Sequence, residues 1–254
     1  MDAASSILGA SRRVVRELER LALHAPVDYV YNPLSYAGDG FREYVTRFAS
    51  TQKRALFLGM NPGPWGMAQT GVPFGEISFV RDWMGIDAEV RSPPRTHPRI
   101  PVLGFAATRS EVSGRRFWGL MNDRFGSARA FFRKNFVANY CPLMFLDSRG
   151  GNVTPDKLSK TDREALFEIC DRFLGETFRA LEPQWIVGIG RFAENRVLDA
   201  AARFGWKTVR TGGIPHPSPA NPGANLDWAG NTARRLELLG IWEKDRALRP
   251  PRKP

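Results

Sequence analysis

The 254-residue chain is predicted to fold as one α/β domain, with a central parallel four-stranded sheet flanked by helices on both faces. Three observations point there. Four short runs, "RALFLG" (54–59), "FVANYCPLMFL" (136–146), "WIVGIG" (185–190) and "KTVRTGG" (207–213), read as buried strands. Stretches with helical spacing alternate with them, the pattern of a parallel sheet covered on both sides. No internal repeat or long linker divides the chain, and 43% hydrophobic residues supply enough apolar material for one core.

Each element has its own signal. Ile7, Leu8, Val14, Val15, Leu18, Leu21 and Leu23 recur at helical spacing over 5–23. The first strand ends in glycine and opens into "GMNPGPWGMAQTGVPFG" (59–75), followed by a helix over "ISFVRDWMG" (77–85). The stretch 154–181 starts with capping-type residues and continues as an amphipathic helix to about Leu181. Further helices follow the last two strands, over 191–204 and 229–240. The domain is expected to occupy 1–245, and the basic, proline-rich "RALRPPRKP" (246–254) reads as a disordered tail.

Composition limits the partners. Lys and Arg number 37 against 26 Asp and Glu, a net charge of +11 and a pI near 10.2. Such an excess favours a polyanion, nucleic acid first and a membrane surface second; solubility alone is the bland alternative. No apolar run is long enough to span a bilayer, and the N-terminus lacks the apolar core of a signal peptide. Cys141 and Cys170 make no disulfide framework, and two cysteines with three scattered histidines argue against a structural zinc or iron–sulfur site. The expectation is a cytoplasmic protein (nucleoid-associated in a bacterium, nuclear in a eukaryote) without metal or cofactor.

Every unusual loop follows a strand: 59–75, 139–152 and 213–223. In open α/β sheets ligands bind beyond the carboxyl ends of the strands, so one shared cleft is expected there. The glycine-rich loop either brings backbone close to a ligand or simply makes tight turns; no Gly-Lys-Ser/Thr follows, so it is not a Walker loop. "IPHPSPANPG" (214–223) sets Pro215, Pro217, Pro219 and Pro222 around His216, which holds the ring on a stiff loop. That is a surface turn with an incidental histidine, or a preorganised donor. His24 and His97 read as surface residues. "GIGRFA" (188–193) formally fits a dinucleotide fingerprint, but the next strand offers Arg210 and no acid, so it reads as close helix–strand packing.

At greater length, "LFLGMNPGPWGMAQTGVPFGEISFVRDWMGI" and "HPSPANPGANLDW" resemble the two signature motifs of the single-strand-selective monofunctional uracil-DNA glycosylases, within the uracil-DNA glycosylase superfamily. Similarity continues through "VYNPLSYA", "EVSGRRFWG", "NYCPLMFL" and "VGIGR", and covers roughly residues 27–242. The resemblance implies a monofunctional enzyme that removes uracil from DNA and leaves an abasic site. It assigns Asn61, where many relatives carry aspartate, to hold the attacking water, and aims His216 at uracil O2. Asn139 matches the residue that reads uracil, and Phe74 the ring that stacks on it. Met60 would offer backbone amides to O2, with Met67 in the same pocket. Gly63 leaves room against C5, so 5-hydroxymethyluracil should fit. Pro217, Ser218, Pro219, Ala220 and Asn221 match a wedge that enters the duplex, with Ala220 where an arginine is usual. No lysine stands in the motifs as a Schiff-base nucleophile. The implied partner is DNA, single- or double-stranded, carrying uracil or oxidised pyrimidines, bound by a monomer. The alternatives are a catalytically silent nucleic-acid-binding protein, a glycosylase preferring hypoxanthine or xanthine, and a dinucleotide enzyme.

Overall fold

A computed structural model describes residues 2–243; the tail expected over 246–254 lies outside the described residues. The chain begins with α1 (Ala3–Leu18), β1 (Tyr29–Tyr31), α2 (Pro33–Tyr36), α3 (Gly38–Phe48), β2 (Ala55–Gly59) and α4 (Met67–Thr70). Then come α5 (Val112–Phe125), α6 (Ala128–Lys134), β3 (Asn135–Asn139), β4 (Met144–Leu146) and β5 (Asn152–Val153). The last part holds α7 (Lys160–Leu181), β6 (Trp185–Ile189), α8 (Arg191–Phe204), β7 (Arg210–Ile214) and α9 (Ala224–Leu238).

The four predicted strands form one parallel sheet in the order β3-β2-β6-β7. Every residue of β2 and β6 is buried, so both faces of the sheet are covered, as their unbroken apolar runs require. The edge strand β7 is buried only at Gly213 and Ile214, and starts later than expected. Gly188 in β6 confirms the packing reading of "GIGRFA": an added Cβ would strike the backbone of Glu194 on α8.

The run 136–146 is not one strand. β3 stops at Asn139, where the backbone N–H groups of Tyr140 and Cys141 donate to the carbonyls of Gly59 and Met60, both at 2.9 Å. Pro142 then has no N–H to continue a ladder, and Met144–Leu146 pairs antiparallel with β1 and β5 in a separate three-stranded sheet.

Helix ends also moved for local reasons. Asp2 caps α1 by accepting from Ser5 N–H at 2.7 Å. After Leu18 the chain leaves the helix, and His24 reaches Asp162 in the first turn of α7 through its backbone N–H (3.0 Å) and Nδ1 (2.8 Å). Pro155 confines 155–157 to a single tight turn, so α7 starts only at Lys160, capped by Ser159 Oγ at 3.1 Å from Asp162 N. The predicted helix over 77–85 is a short wide turn over Phe79–Trp83. The helix expected at 229 begins at Ala224, with a kink at Asp227.

His24 is exposed, as expected. His97 is not: it is 4% exposed, edge-on to Tyr29, with Nε2 at 3.1 Å from Ser148 O and Nδ1 accepting from Arg99 N–H. It is a satisfied core histidine.

Candidate active site

The loops after β2, β3 and β7 converge, as predicted, on one cavity of about 410 Å³. Met60, Asn61, Gly63, Met67, Phe74, Asn139, His216, Ser218 and Ala220 line it, while Pro217, Pro219 and Asn221, of the same loop as His216, are not among its lining residues. A larger hollow of about 840 Å³, lined by Arg47, Lys53 and Arg129 among others, lies at the amino ends of the strands. Of these two, the smaller gathers the loops after β2, β3 and β7, at the carboxyl ends where ligands of such sheets bind.

Asn61 follows β2 by two residues. Its Nδ2 donates to Leu143 O at 3.2 Å, which fixes the amide and leaves Oδ1 to accept. Asn139 ends β3 and is buried; its Nδ2 points at Met67 Sδ, 3.2 Å away. The adjoining Tyr140 anchors this strand end, donating from its hydroxyl to buried Asp171 at 2.7 Å, and Arg196 and Arg203 bind the same carboxylate.

Phe74 sits in the left-handed region, φ +53°, a strained geometry for a bulky residue. Its carbonyl accepts from Trp118 Nε1 at 2.9 Å, and its ring stacks on Phe117 with centroids 5.2 Å apart. Gly59 permits this crowding: a Cβ there would lie 2.6 Å from the Phe74 ring and collide with Asn139 Oδ1. One glycine thus lets an amide and an aromatic face meet at the cavity floor.

His216 is held from several sides. Its Nδ1 accepts from Ser218 N–H at 3.1 Å, its carbonyl accepts from Asn221 Nδ2 at 3.0 Å, and its Cβ rests against Gly190. A backbone N–H can only donate, so the neutral ring carries its proton on Nε2. Burial lowers the pKa below the ordinary 6.5, which favours that neutral form. The rim loop is braced by Arg116, which donates to Pro217 O (2.8 Å) and Asn225 Oδ1 (3.0 Å), and by Trp228 Nε1 donating to Pro215 O at 2.8 Å.

Gly63 lines the cavity with the Glu111 side chain against it: an added Cβ would collide with Oε2 of Glu111 and stand 3.1 Å from Cδ. Glu111 also lines the cavity, as do Ser113, Asn152 and Thr154, and none of the four was singled out from the sequence. Burial raises the Glu111 carboxyl above the usual range, against the opposing pull of the Ser113 and Trp65 N–H groups and of Arg109. The only sequence signal at Glu111 was membership of the "EVSGRRFWG" segment.

Residues 46–237 match the family described as the uracil DNA glycosylase superfamily. The chain is 47% identical over 238 residues to a rat protein named single-strand selective monofunctional uracil-DNA glycosylase, covering 94% of this chain and 85% of the relative. A bovine protein of the same name is 46% identical, with 94% and 87% covered. The crystal structure of wild-type SMUG2 from Pedobacter heparinus superposes with a TM-score of 0.67 at 18% identity, over 95% of this chain and all of that one, which shows a shared fold.

Proposed function

We propose, from the premise that the chain belongs to the uracil-DNA glycosylase superfamily, that it is a monofunctional DNA glycosylase excising uracil. The observation that carries the reading is one cavity of about 410 Å³ on which an acceptor amide, a neutral imidazole and a stacking ring converge.

The target nucleotide leaves the stack and enters the cavity, at a cost of a few kcal/mol that is least in single strands. Phe74 meets its face. Asn139 reads the N3–H and O4 edge, its orientation steadied by the Met67 sulfur. As the C1′–N1 bond lengthens, its electron pair leaves with the base and positive charge grows on the sugar. His216 donates from Nε2 to O2, where the negative charge collects, with the Met60 backbone alongside. Because the ring is already fixed, it needs no reorganisation as charge appears. A water accepted by Asn61 Oδ1 bonds to C1′, and the proton it sheds leaves to the departing uracilate or to solvent. An amide is too weak a base to take that proton, so Asn61 orients and the charge separation is stabilised elsewhere. The products are free uracil and an abasic site.

On the same reading the enzyme works as a monomer, since one chain closes the cavity. It acts on single-stranded and double-stranded DNA, and accepts oxidised pyrimidines such as 5-hydroxymethyluracil. The rim loop Pro217–Asn221 enters the duplex beside the extruded base.

A uracil-containing oligonucleotide incubated with the protein in EDTA, then cleaved with alkali, tests the activity. Strand scission is expected with wild type and should fall about 10²-fold or more in Asn61→Ala and His216→Ala. Scission unaffected by both changes would remove these residues from the mechanism.

A further inference from the structure

We propose that Glu111 sets selectivity at the C5 position of the base, accepting a hydrogen bond from 5-substituents that carry a donor and rejecting a bare methyl. The inference rests on the functional reading above. C5 lies across the pyrimidine ring from C2. With O2 at His216 and the N3–O4 edge at Asn139, C5 faces the remaining wall, and Gly63, Gly66 and Glu111 line the same cavity. That wall is not empty space. Gly63 and Gly66 form a seat without side chains, and the Glu111 side chain occupies it: a Cβ at Gly63 would collide with Oε2, and a Cβ at Gly66 would meet Cγ at 3.0 Å.

The two carboxylate oxygens have different surroundings. Oε1 caps α5, accepting from Ser113 N–H at 3.4 Å. Oε2 is the oxygen turned toward Gly63. The Trp65 N–H also points at the carboxylate, and Arg109, whose guanidinium lies 5.0 Å from the Trp65 ring centroid, pulls on it from nearby. A helix cap alone would not require two facing glycines, and a shorter Asp or Ser caps better.

The chemistry of Oε2 gives the selectivity. A hydroxymethyl or hydroxyl group on C5 donates O–H to it, a charge-assisted bond worth more than a neutral one. A methyl strips water from the carboxylate and returns no hydrogen bond, which is penalised. Bare uracil leaves room for a water there. Glu111 therefore separates 5-hydroxymethyluracil from thymine, two bases of similar size.

Single-stranded oligonucleotides carrying one uracil, 5-hydroxymethyluracil or labelled thymine test this, with kcat/KM measured for wild type, Glu111→Asp and Glu111→Gln. Asp keeps the charge and the cap but withdraws the oxygen from Gly63; the ratio of 5-hydroxymethyluracil to uracil should fall about tenfold, roughly one hydrogen bond. Gln keeps the volume but is cheaper to desolvate, so the thymine-to-uracil ratio should rise. A purely capping role would scale all three substrates together, and ratios within about twofold of wild type in both variants overturn the proposal. So does a wild type that excises uracil but not 5-hydroxymethyluracil. A wild type that releases no uracil fails the parent reading instead, and this one with it.

Discussion

His216 is where the chemistry of one residue becomes measurable. Its Nδ1 already accepts the Ser218 N–H, so protonation would set two donors against each other and break a contact that orients the ring. Burial works in the same direction, holding the folded pKa below 6.5. Between that lowered value and 6.5 the unfolded chain binds more protons than the folded one, so stability rises with pH in this window. The contribution is complete above 6.5 and is lost as pH falls through the window. Catalysis should follow the same sense. Single-turnover excision from a single-stranded oligonucleotide is expected to be flat above about pH 6.5 and to decline in acid. A rate that instead declines as pH rises from 6 to 8 would mean the imidazolium is the active form. The Asn61 amide has no proton to lose; besides His216, the cavity's Glu111, whose carboxyl pKa burial raises, gains a proton in acid, and Glu111→Gln run over the same pH range separates the two.

At the scale of elements, the segment joining β7 to α9 carries both the imidazole and the surface that would meet a duplex. It is stiffened from outside by Arg116 on α5 and by Trp228, and it kinks at Asp227, whose carboxylate accepts from Gly230 N–H at 2.8 Å. Just before the kink, Leu226 is 89% exposed, while Ala220 on the rim offers only a methyl. An exposed leucine that follows the rim loop can recover apolar burial by entering the gap left in the stack, about 0.8 kcal/mol per CH₂. Leu226→Ala should therefore lower excision from duplex DNA several-fold more than from single strands. Ala220→Arg should slow release of the duplex abasic product by adding a phosphate contact. Equal losses on both substrates would make Leu226 a mere folding residue. The four sheet strands and the convergence of their loops were legible because apolar runs and glycine–proline loops are local signals. The three-stranded sheet was not, since its strands are two or three residues long and have no period to detect. Glu111 was hidden for another reason: before a helix it reads as a solvated cap, and its meaning depends on Gly63, far away in sequence. His97 failed similarly, its loop composition saying surface while Tyr29 and the Ser148 carbonyl enclose it.

The whole molecule carries a net charge of +11, yet the mechanism proposed for it uses a neutral amide and a neutral imidazole. If that excess charge serves DNA binding, its signature is counterion release rather than specificity. Engagement of roughly three to five phosphates of a single strand gives a log–log salt slope of about −2 to −3.5. Affinity should then fall roughly 15- to 120-fold between 50 and 200 mM salt. Two rates should respond in opposite directions. Single-turnover excision at subsaturating enzyme falls with salt, because capture weakens. Multiple-turnover excision from duplex DNA first rises, because the abasic product is released faster, and falls only when capture becomes limiting. Fluorescence-anisotropy titrations with an abasic-site strand, alongside both kinetic regimes, measure this directly. Salt-independent binding would detach the charge from DNA and leave it to solubility. The site's own selectivity should meanwhile be insensitive to salt, because Phe74, Asn139 and Glu111 act inside a cavity that mobile ions do not screen.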